Sequence, residues 1–404
     1  MKKVIIILLI LVSIAGVVLL GIKYRHNYLY EYQIKLVGDK NIEIPVNSTY
    51  SDEGVIITHN NKEVKDYEII NNVNSKKVGK YEVIYKIQKV EKKRTISVVD
   101  KEKPIIKLND TAKKYHIKNK EIELENLITV SDNYDEEIKN KVKIESDFDP
   151  NKNGVYKIKY TVTDSSNNTS DIETTINVQE KDTNGIPVLM YHWFYDDTKG
   201  EKPGKNNSHN YISKTEFEKQ IKYLKDNNFY FPTWDELNDY IDGKIDLPKK
   251  SVILTDDDCV VSFFTVALPV LKKYEIPMTS YCITNKSTWQ NYINEEYIDF
   301  QSHTDSLHQR ICKGSWDGAV MCKPYETINK DIKTSIEKMK NNDSFAYPFG
   351  HYNDNTIKAL KENGIKLAFT INEGNVKRGA NKYKLPRVRI SSWTTINAYK
   401  KLVE

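Results

Sequence analysis

Proline and glycine are scarce. Only 12 Pro and 16 Gly occur in 404 residues, which excludes a collagen-like or Pro-rich chain. Hydrophobic residues reach 39% and charged residues 29%, so the chain can bury cores and is not wholly disordered. Long apolar runs are missing beyond the N-terminus, which excludes a multi-span membrane protein. A charge excess is also missing: 61 Lys and Arg against 56 Asp and Glu leave a net +5. With no basic tract to track phosphates, nucleic acid is set aside as a partner. Cysteine is confined to Cys259, Cys282, Cys312 and Cys322. An even count outside the membrane permits disulfides, and Cys312 with Cys322 would close a short loop, but free thiols are an equal alternative. The length predicts two or three domains.

What is present begins with Val4 to Ile22, an uncharged apolar run flanked by Lys2 and Lys3 before it and by Lys23 and Arg25 after it. It is long enough to span a bilayer and longer than a usual signal-peptide core. Residues 1–23 are therefore expected to form an uncleaved transmembrane signal-anchor, with a cleaved signal peptide as the alternative. The expectation is a single-pass protein of the cell membrane with the rest of the chain extracellular.

From residue 33 to about 179 short alternating strands are separated by Asn, Asp and Gly. Ile42 to Val46, Tyr81 to Tyr85 and Tyr156 to Tyr160 carry the period-two pattern of half-buried antiparallel strands. Val78-Gly-Lys-Tyr-Glu-Val-Ile-Tyr85 is echoed by Asn153-Gly-Val-Tyr-Lys-Ile-Lys-Tyr160, and each is followed by a last strand, at Thr95 and at Thr174. The repeat of about 75–80 residues suits a small sandwich. These strands, with the turn Val162-Thr-Asp-Ser-Ser-Asn-Asn168, resemble bacterial immunoglobulin-like surface modules. Two all-β sandwiches are expected, at 33–100 and 101–180, joined by Lys101-Glu-Lys-Pro104. His59 and His116 read as surface residues.

At Gly185 the pattern changes. Ser213-Lys-Thr-Glu216 and Thr233-Trp-Asp-Glu236 open helices. Further helices are expected at 262–274, 325–340, 355–363 and 394–403. Strand candidates lie at 188–191, 252–255, 279–283, 345–347, 367–370 and 388–390. Alternating strands and helices predict a parallel α/β fold over 185–404, a distorted TIM-like barrel whose working residues sit at the C-terminal strand ends. All five Trp lie in this region; their faces suit sugar rings, although core packing accounts for most of them.

Three features fall at strand ends. Thr255-Asp-Asp-Asp-Cys259 puts three carboxylates where a cation would relieve their repulsion. Read alone, it could also be a loop of helix caps, though less readily. His303 and His308 are five apart, too far to share a helix face, but they can converge from a strand end and its loop. Together the Asp and His residues form the pattern of a hydrolytic metal site. Tyr347-Pro-Phe-Gly-His351 is a tight turn that can aim backbone N–H groups at an oxyanion.

In order and spacing these features resemble the polysaccharide deacetylase family (NodB-homology, carbohydrate esterase family four) over roughly 186–392. The motifs are Ile186 to His192, Pro248 to Asp258, Ala267 to Pro277, His303 to His308, Phe345 to Gly350 and Leu385-Pro-Arg387. The opening Met-Tyr-His and the His spacing look most like the branch of poly-N-acetylglucosamine deacetylases. The resemblance implies a divalent metal held by Asp258, His303 and His308: zinc first, cobalt or nickel as alternatives. It implies Asp257 as the general base, His192 as the acid for the leaving amine, the Phe349 N–H as an oxyanion donor and Arg387 as the group orienting the base.

Two departures stand out. The family pattern Thr-Phe-Asp-Asp-Gly reads Thr-Asp-Asp-Asp-Cys here, so Asp256 adds a negative charge and Cys259 occupies a glycine position where its thiolate could approach the metal. The usual Arg of the third motif reads Ala346, so the base must be oriented from elsewhere. The expectation is a membrane-anchored hydrolase that N-deacetylates a cell-wall glycan. Peptidoglycan N-acetylglucosamine is the first substrate, which would confer lysozyme resistance; poly-N-acetylglucosamine is the alternative. A catalytically impaired glycan-binding protein and an adhesin or spacer are the rivals.

Overall fold

The computed structural model describes residues 2–30, 32–109, 114–205 and 208–404. The chain begins with a helix, Lys2–Tyr30. Its segment Ile5–Lys23 is long and apolar enough to cross a membrane. The chain divides into two compact units, one comprising 1–112, 123–145 and 159–174, the other 113–122, 146–158 and 175–404.

The first unit is built of β-strands. Asn41–Pro45, Val90–Val99, Gly79–Ile87 and Glu68–Asn71 form a sheet in that order, and Gln33–Leu36, Val55–His59 and Lys62–Val64 form a second sheet. Alternation decides the faces: Val83, Tyr85 and Ile87 are buried along one strand, Ile96 and Val98 along the next. The antiparallel expectation holds for Gly79–Ile87 with Val90–Val99. It fails at Asn41–Pro45, which pairs in parallel with Thr95–Val99. Asn41–Pro45 joins the last strand, Val90–Val99, and alternation carries no information on direction. In the second unit Tyr115–Ile117 likewise runs parallel to Asn177–Gln179. His116 is buried there, its Nε2 donating to the Lys120 carbonyl, so it is not the surface residue expected.

The second unit holds a closed barrel of parallel strands. In order they are Val188–Tyr191, Ile253–Asp257, Met278–Cys282, Ile298–Ser302, Ser344–Ala346, Leu367–Glu373 and Leu385–Arg389, and the last pairs back with the first. Six match the expected strands within a few residues. Ile298–Ser302 was not expected: Ile-Asp-Phe-Gln-Ser is half polar and lacks the apolar run of its neighbours. The helices start where their caps are. Ser213 accepts from the Glu216 N–H, and Thr233 with Glu236 completes a reciprocal capping box. Phe217, Ile221 and Leu224 form the buried stripe of Lys214–Asp226. The segment expected as one helix from Ser262 opens as a π-turn at Phe263–Ala267 before Leu268–Tyr274.

All four cysteines are paired, Cys259 with Cys282 and Cys312 with Cys322. The second bond closes the short loop foreseen. The first removes the thiolate that Cys259 could have brought near a metal.

Candidate active site and metal centre

The site is assembled by strand ends. His192 follows Val188–Tyr191, Asp257 ends Ile253–Asp257, and His303 follows Ile298–Ser302. Arg387 projects from Leu385–Arg389, and Phe349 lies in the turn after Ser344–Ala346. His192, Asp257, Asp258, His303, His308 and Phe349 share one cavity of about 570 Å³ at this mouth. A second cavity of about 300 Å³, lined by Trp234, Met278 and Asp299 at the strand starts, contains none of them.

Asp257 is fully buried against Arg387. The two guanidinium nitrogens Nη1 and Nη2 donate to Oδ1 and Oδ2, each at 2.7 Å. Burial opposes the carboxylate charge, but the guanidinium outweighs it and holds the Asp257 carboxyl well below the usual range. Arg387 is itself fixed by the Thr370 carbonyl at 3.0 Å and Thr255 Oγ1 at 3.3 Å. Arg387 is therefore a geometric candidate for the base-orienting role left vacant by Ala346.

Asp258 takes φ of 78° and Cys259 takes 52°, conformations that non-glycine residues rarely adopt. The strained turn and the disulfide after it swing Asp258 toward the histidines. Its Oδ1 lies 3.7 Å from His303 Nε2 and 3.2 Å from His308 Nε2. The three ligand atoms lie within 4.8 Å of one another. His303 donates from Nδ1 to the Ala346 carbonyl at 2.7 Å, which leaves the Nε2 lone pair free. Burial, then the neighbouring His303, pushes His308 down to about 4, so it is a neutral imidazole ready to ligate. Asp258 Oδ1 is buried with no hydrogen-bond partner. One carboxylate with an orphaned oxygen and two imidazoles fit a divalent cation that keeps an open position.

His192 sits beside this group. Burial lowers its pKa against the opposing pull of Asp257 and Asp258, and its Nδ1 has no partner. Phe349 adopts φ of 60° in the Tyr347-Pro-Phe-Gly-His351 turn. Gly350 follows at φ 77°, where any Cβ would collide with Ile371, so the turn requires glycine.

Asp256 departs from expectation. It pairs in register with Ser280, whose Oγ donates to its Oδ2 at 2.9 Å, and it is fully buried away from the cavity. Burial raises its pKa well above the usual carboxylate range. Its side chain therefore does not line the cavity of the metal site.

The cavity also holds residues not foreseen: Arg310, Arg389, His209 and Asn210. No motif flags them, because each comes from a loop or strand edge whose position depends on the closed barrel. Of the Trp set, Trp234 and Trp289 are buried, whereas Trp316 and Trp393 are exposed at 83% and 76%. Trp193 and Trp316 line the cavity.

Residues 244–368 match the family described as Polysaccharide deacetylase. Residues 124–178 match the family described as Bacterial surface protein, Ig-like domain. The chain is 36% identical over 213 residues to the poly-beta-1,6-N-acetyl-D-glucosamine N-deacetylase of Staphylococcus epidermidis, a match covering 48% of this chain and 71% of that protein. It is 32% identical over 199 residues to the Staphylococcus aureus protein of the same name, covering 45% and 68%. The structure of IcaB from Ammonifex degensii aligns at 26% identity and a TM-score of 0.46, covering 55% of this chain and 97% of that one.

Proposed function

This chain belongs to the polysaccharide deacetylase family, and we propose that it removes acetyl groups from a β-1,6-linked N-acetylglucosamine polymer at the outer face of the membrane. The observation that carries the reading is the convergence of the Arg387-clamped Asp257, the Asp258–His303–His308 set and His192 on one cavity. The named relatives favour this polymer over peptidoglycan, the substrate first expected from sequence. The N-terminal helix is the proposed anchor, and residues 33–100 and 101–180 are the proposed immunoglobulin-like modules.

Asp258, His303 and His308 would hold the divalent cation, with zinc as the proposed metal. When bound there, such a cation polarises the acetamide carbonyl and lowers the pKa of water. Arg387 keeps Asp257 ionised and fixes its plane. Each Asp257 oxygen retains a second lone pair beyond its bond to Arg387, so the carboxylate can accept a proton from the attacking water. The water oxygen bonds to the acetyl carbon, and the Phe349 N–H is the proposed donor to the oxyanion. The C–N bond then breaks, and His192 gives a proton to the departing amine. Burial lowers the pKa of His192, so it takes up from solvent the proton it delivers, while Asp257 later releases the water's proton to solvent.

The test is acetate release from β-1,6-N-acetylglucosamine oligomers and from peptidoglycan. The full chain is stripped with chelator and then given zinc, cobalt or nickel. Metal-restored release on the oligomers, abolished in Asp258→Ala and His303→Ala, is expected. Faster release from peptidoglycan would overturn the substrate. No release with any metal, with glycan binding intact, would leave a binding protein.

A further inference from the structure

The first unit contains a second cluster of oxygen ligands, far in sequence from the catalytic motifs. Asp100 follows the strand Val90–Val99, Asp132 follows Ile128–Ser131, and Asp164 follows Gly154–Thr163. One carboxylate oxygen from each lies within 4.8 Å of the others. Asp100 and Asp164 are 6% and 5% exposed. Three carboxylates this close in a buried place repel one another unless a cation intervenes. Among the described residues no Lys or Arg forms an ion pair with any of them.

The remaining polar atoms are arranged around the carboxylates. Asp100 Oδ1 accepts from Asn133 Nδ2 at 3.1 Å and from the Glu102 N–H at 3.2 Å. Asp132 Oδ1 accepts from the N–H groups of Tyr134 and Asp135, both at 2.9 Å. Asp164 Oδ1 accepts from the Ser166 and Asn168 N–H groups, and Asn168 Nδ2 reaches Asp164 Oδ2 at 2.7 Å and the Asp100 carbonyl at 3.3 Å. Asp132 and Asp164 are thus held by their own loops, and Asp100 by its own loop and Asn133. Yet Asp100 Oδ2 and Asp132 Oδ2 are buried with no donor at all. A buried carboxylate oxygen without a donor is costly, and a cation supplies what is missing.

We infer that Asp100, Asp132 and Asp164 bind one calcium ion. The donors are all oxygen, with no Cys or His, which selects a hard cation over zinc. Calcium accepts irregular carboxylate and carbonyl geometries, whereas magnesium demands a near-ideal octahedron. The ion ties the end of one module's last strand to two loops beyond the Lys101-Glu-Lys-Pro104 linker, so calcium stiffens that linker. The inference stands apart from the deacetylase reading, because no residue is shared between the two sites.

The experiment titrates the chelator-stripped full chain in detergent with calcium chloride by calorimetry, with magnesium chloride in parallel. One calcium per chain is expected, at the affinity of extracellular modules, roughly 0.1–1 mM. Asp132→Asn weakens it at least about tenfold, as the loss of one of three charged ligands would, and His308→Ala leaves it unchanged. Lys101 is exposed, so trypsin cleavage after it reports the linker: calcium slows the cut in wild type and in His308→Ala, but not in Asp132→Asn. Asp132 is the less buried carboxylate, which keeps the test valid if Asp100→Asn does not fold. No saturable calcium binding by wild type up to about 10 mM, well beyond the range of such sites, overturns the inference. So does binding that survives Asp132→Asn and disappears in His308→Ala.

Discussion

Arg387 has a structural duty as well as a positioning one, because it is the counter-charge of a buried carboxylate. Arg387→Ala leaves Asp257 buried and unpaired, and removing one partner of such a pair costs about 3–5 kcal/mol. Denaturant unfolding should show that loss alongside abolished acetate release. Arg387→Lys keeps the charge but not the two-pronged geometry, so it should recover stability more than turnover. His192 makes a different claim. Its proposed proton goes to an amine, so His192→Ala should lower turnover on the amide by about 10²–10⁴-fold. An acetate ester with a phenolate leaving group needs no such proton and should lose far less. Equal losses on both substrates would remove His192 from the acid role. The Asp257–Asp258 pair, His303 and His308 could be singled out in the sequence because carboxylates and imidazoles at strand ends form a recognisable pattern, while their separate roles came from the family resemblance. Asp256 was misread, although the signal existed. Side chains alternate along a strand, so if Asp257 faces the mouth, Asp256 faces away from it. Cys259 could not be read: its partner Cys282 lies one strand over, and four cysteines allow three pairings until register is known.

At the scale of single elements, the first unit depends on a polar pin. Arg94 is fully buried and donates from Nε to the Asp39 carbonyl at 3.0 Å and from Nη1 to Asp52 Oδ1. Tyr50 and Tyr85 donate to the same carboxylate. Burial of Asp52 opposes its charge, but the hydrogen bonds from Tyr85 and Tyr50 and the Arg94 guanidinium outweigh it and lower its pKa. A depressed carboxylate stabilises the fold above its unfolded pKa, about 3.9, and the contribution is lost as pH falls through the folded value. Wild type should therefore melt above Asp52→Asn at pH 7, with the gap closing below about pH 4. A gap constant with pH would mean that Asp52 acts through packing alone. Sequence alternation exposed most strands and capping residues exposed helix starts, because both signals are local. The strand Ile298–Ser302 escaped because its polar residues are satisfied by distant partners: Asp299 accepts from Trp234 Nε1 at 2.7 Å, and Gln301 Oε1 accepts from the Ser344 N–H at 3.0 Å. Such partners exist only after the barrel closes.

For the whole molecule, the apolar helix and the cysteines make one joint claim about compartment. All four thiols are consumed in disulfides, which persist in oxidising surroundings and are rare in a reducing cytoplasm. The helix Lys2–Tyr30 is the element that would deliver the chain across a membrane. Cross-links spanning 23 and 10 residues each contribute about 3 kcal/mol in the chain-entropy view. The bond at Cys259 adds a local effect, since it holds a left-handed turn directly after the proposed ligand Asp258. Protein recovered from membranes and denatured without reductant should take up no maleimide. A chain lacking residues 1–31, made in a reducing cytoplasm, should take up four labels, one per cysteine. That reduced form should unfold at lower denaturant and bind metal at Asp258, His303 and His308 more weakly, and oxidation should restore both. Four labels on the membrane-derived protein would place the barrel on the reducing side, where the polymer proposed as substrate is out of reach.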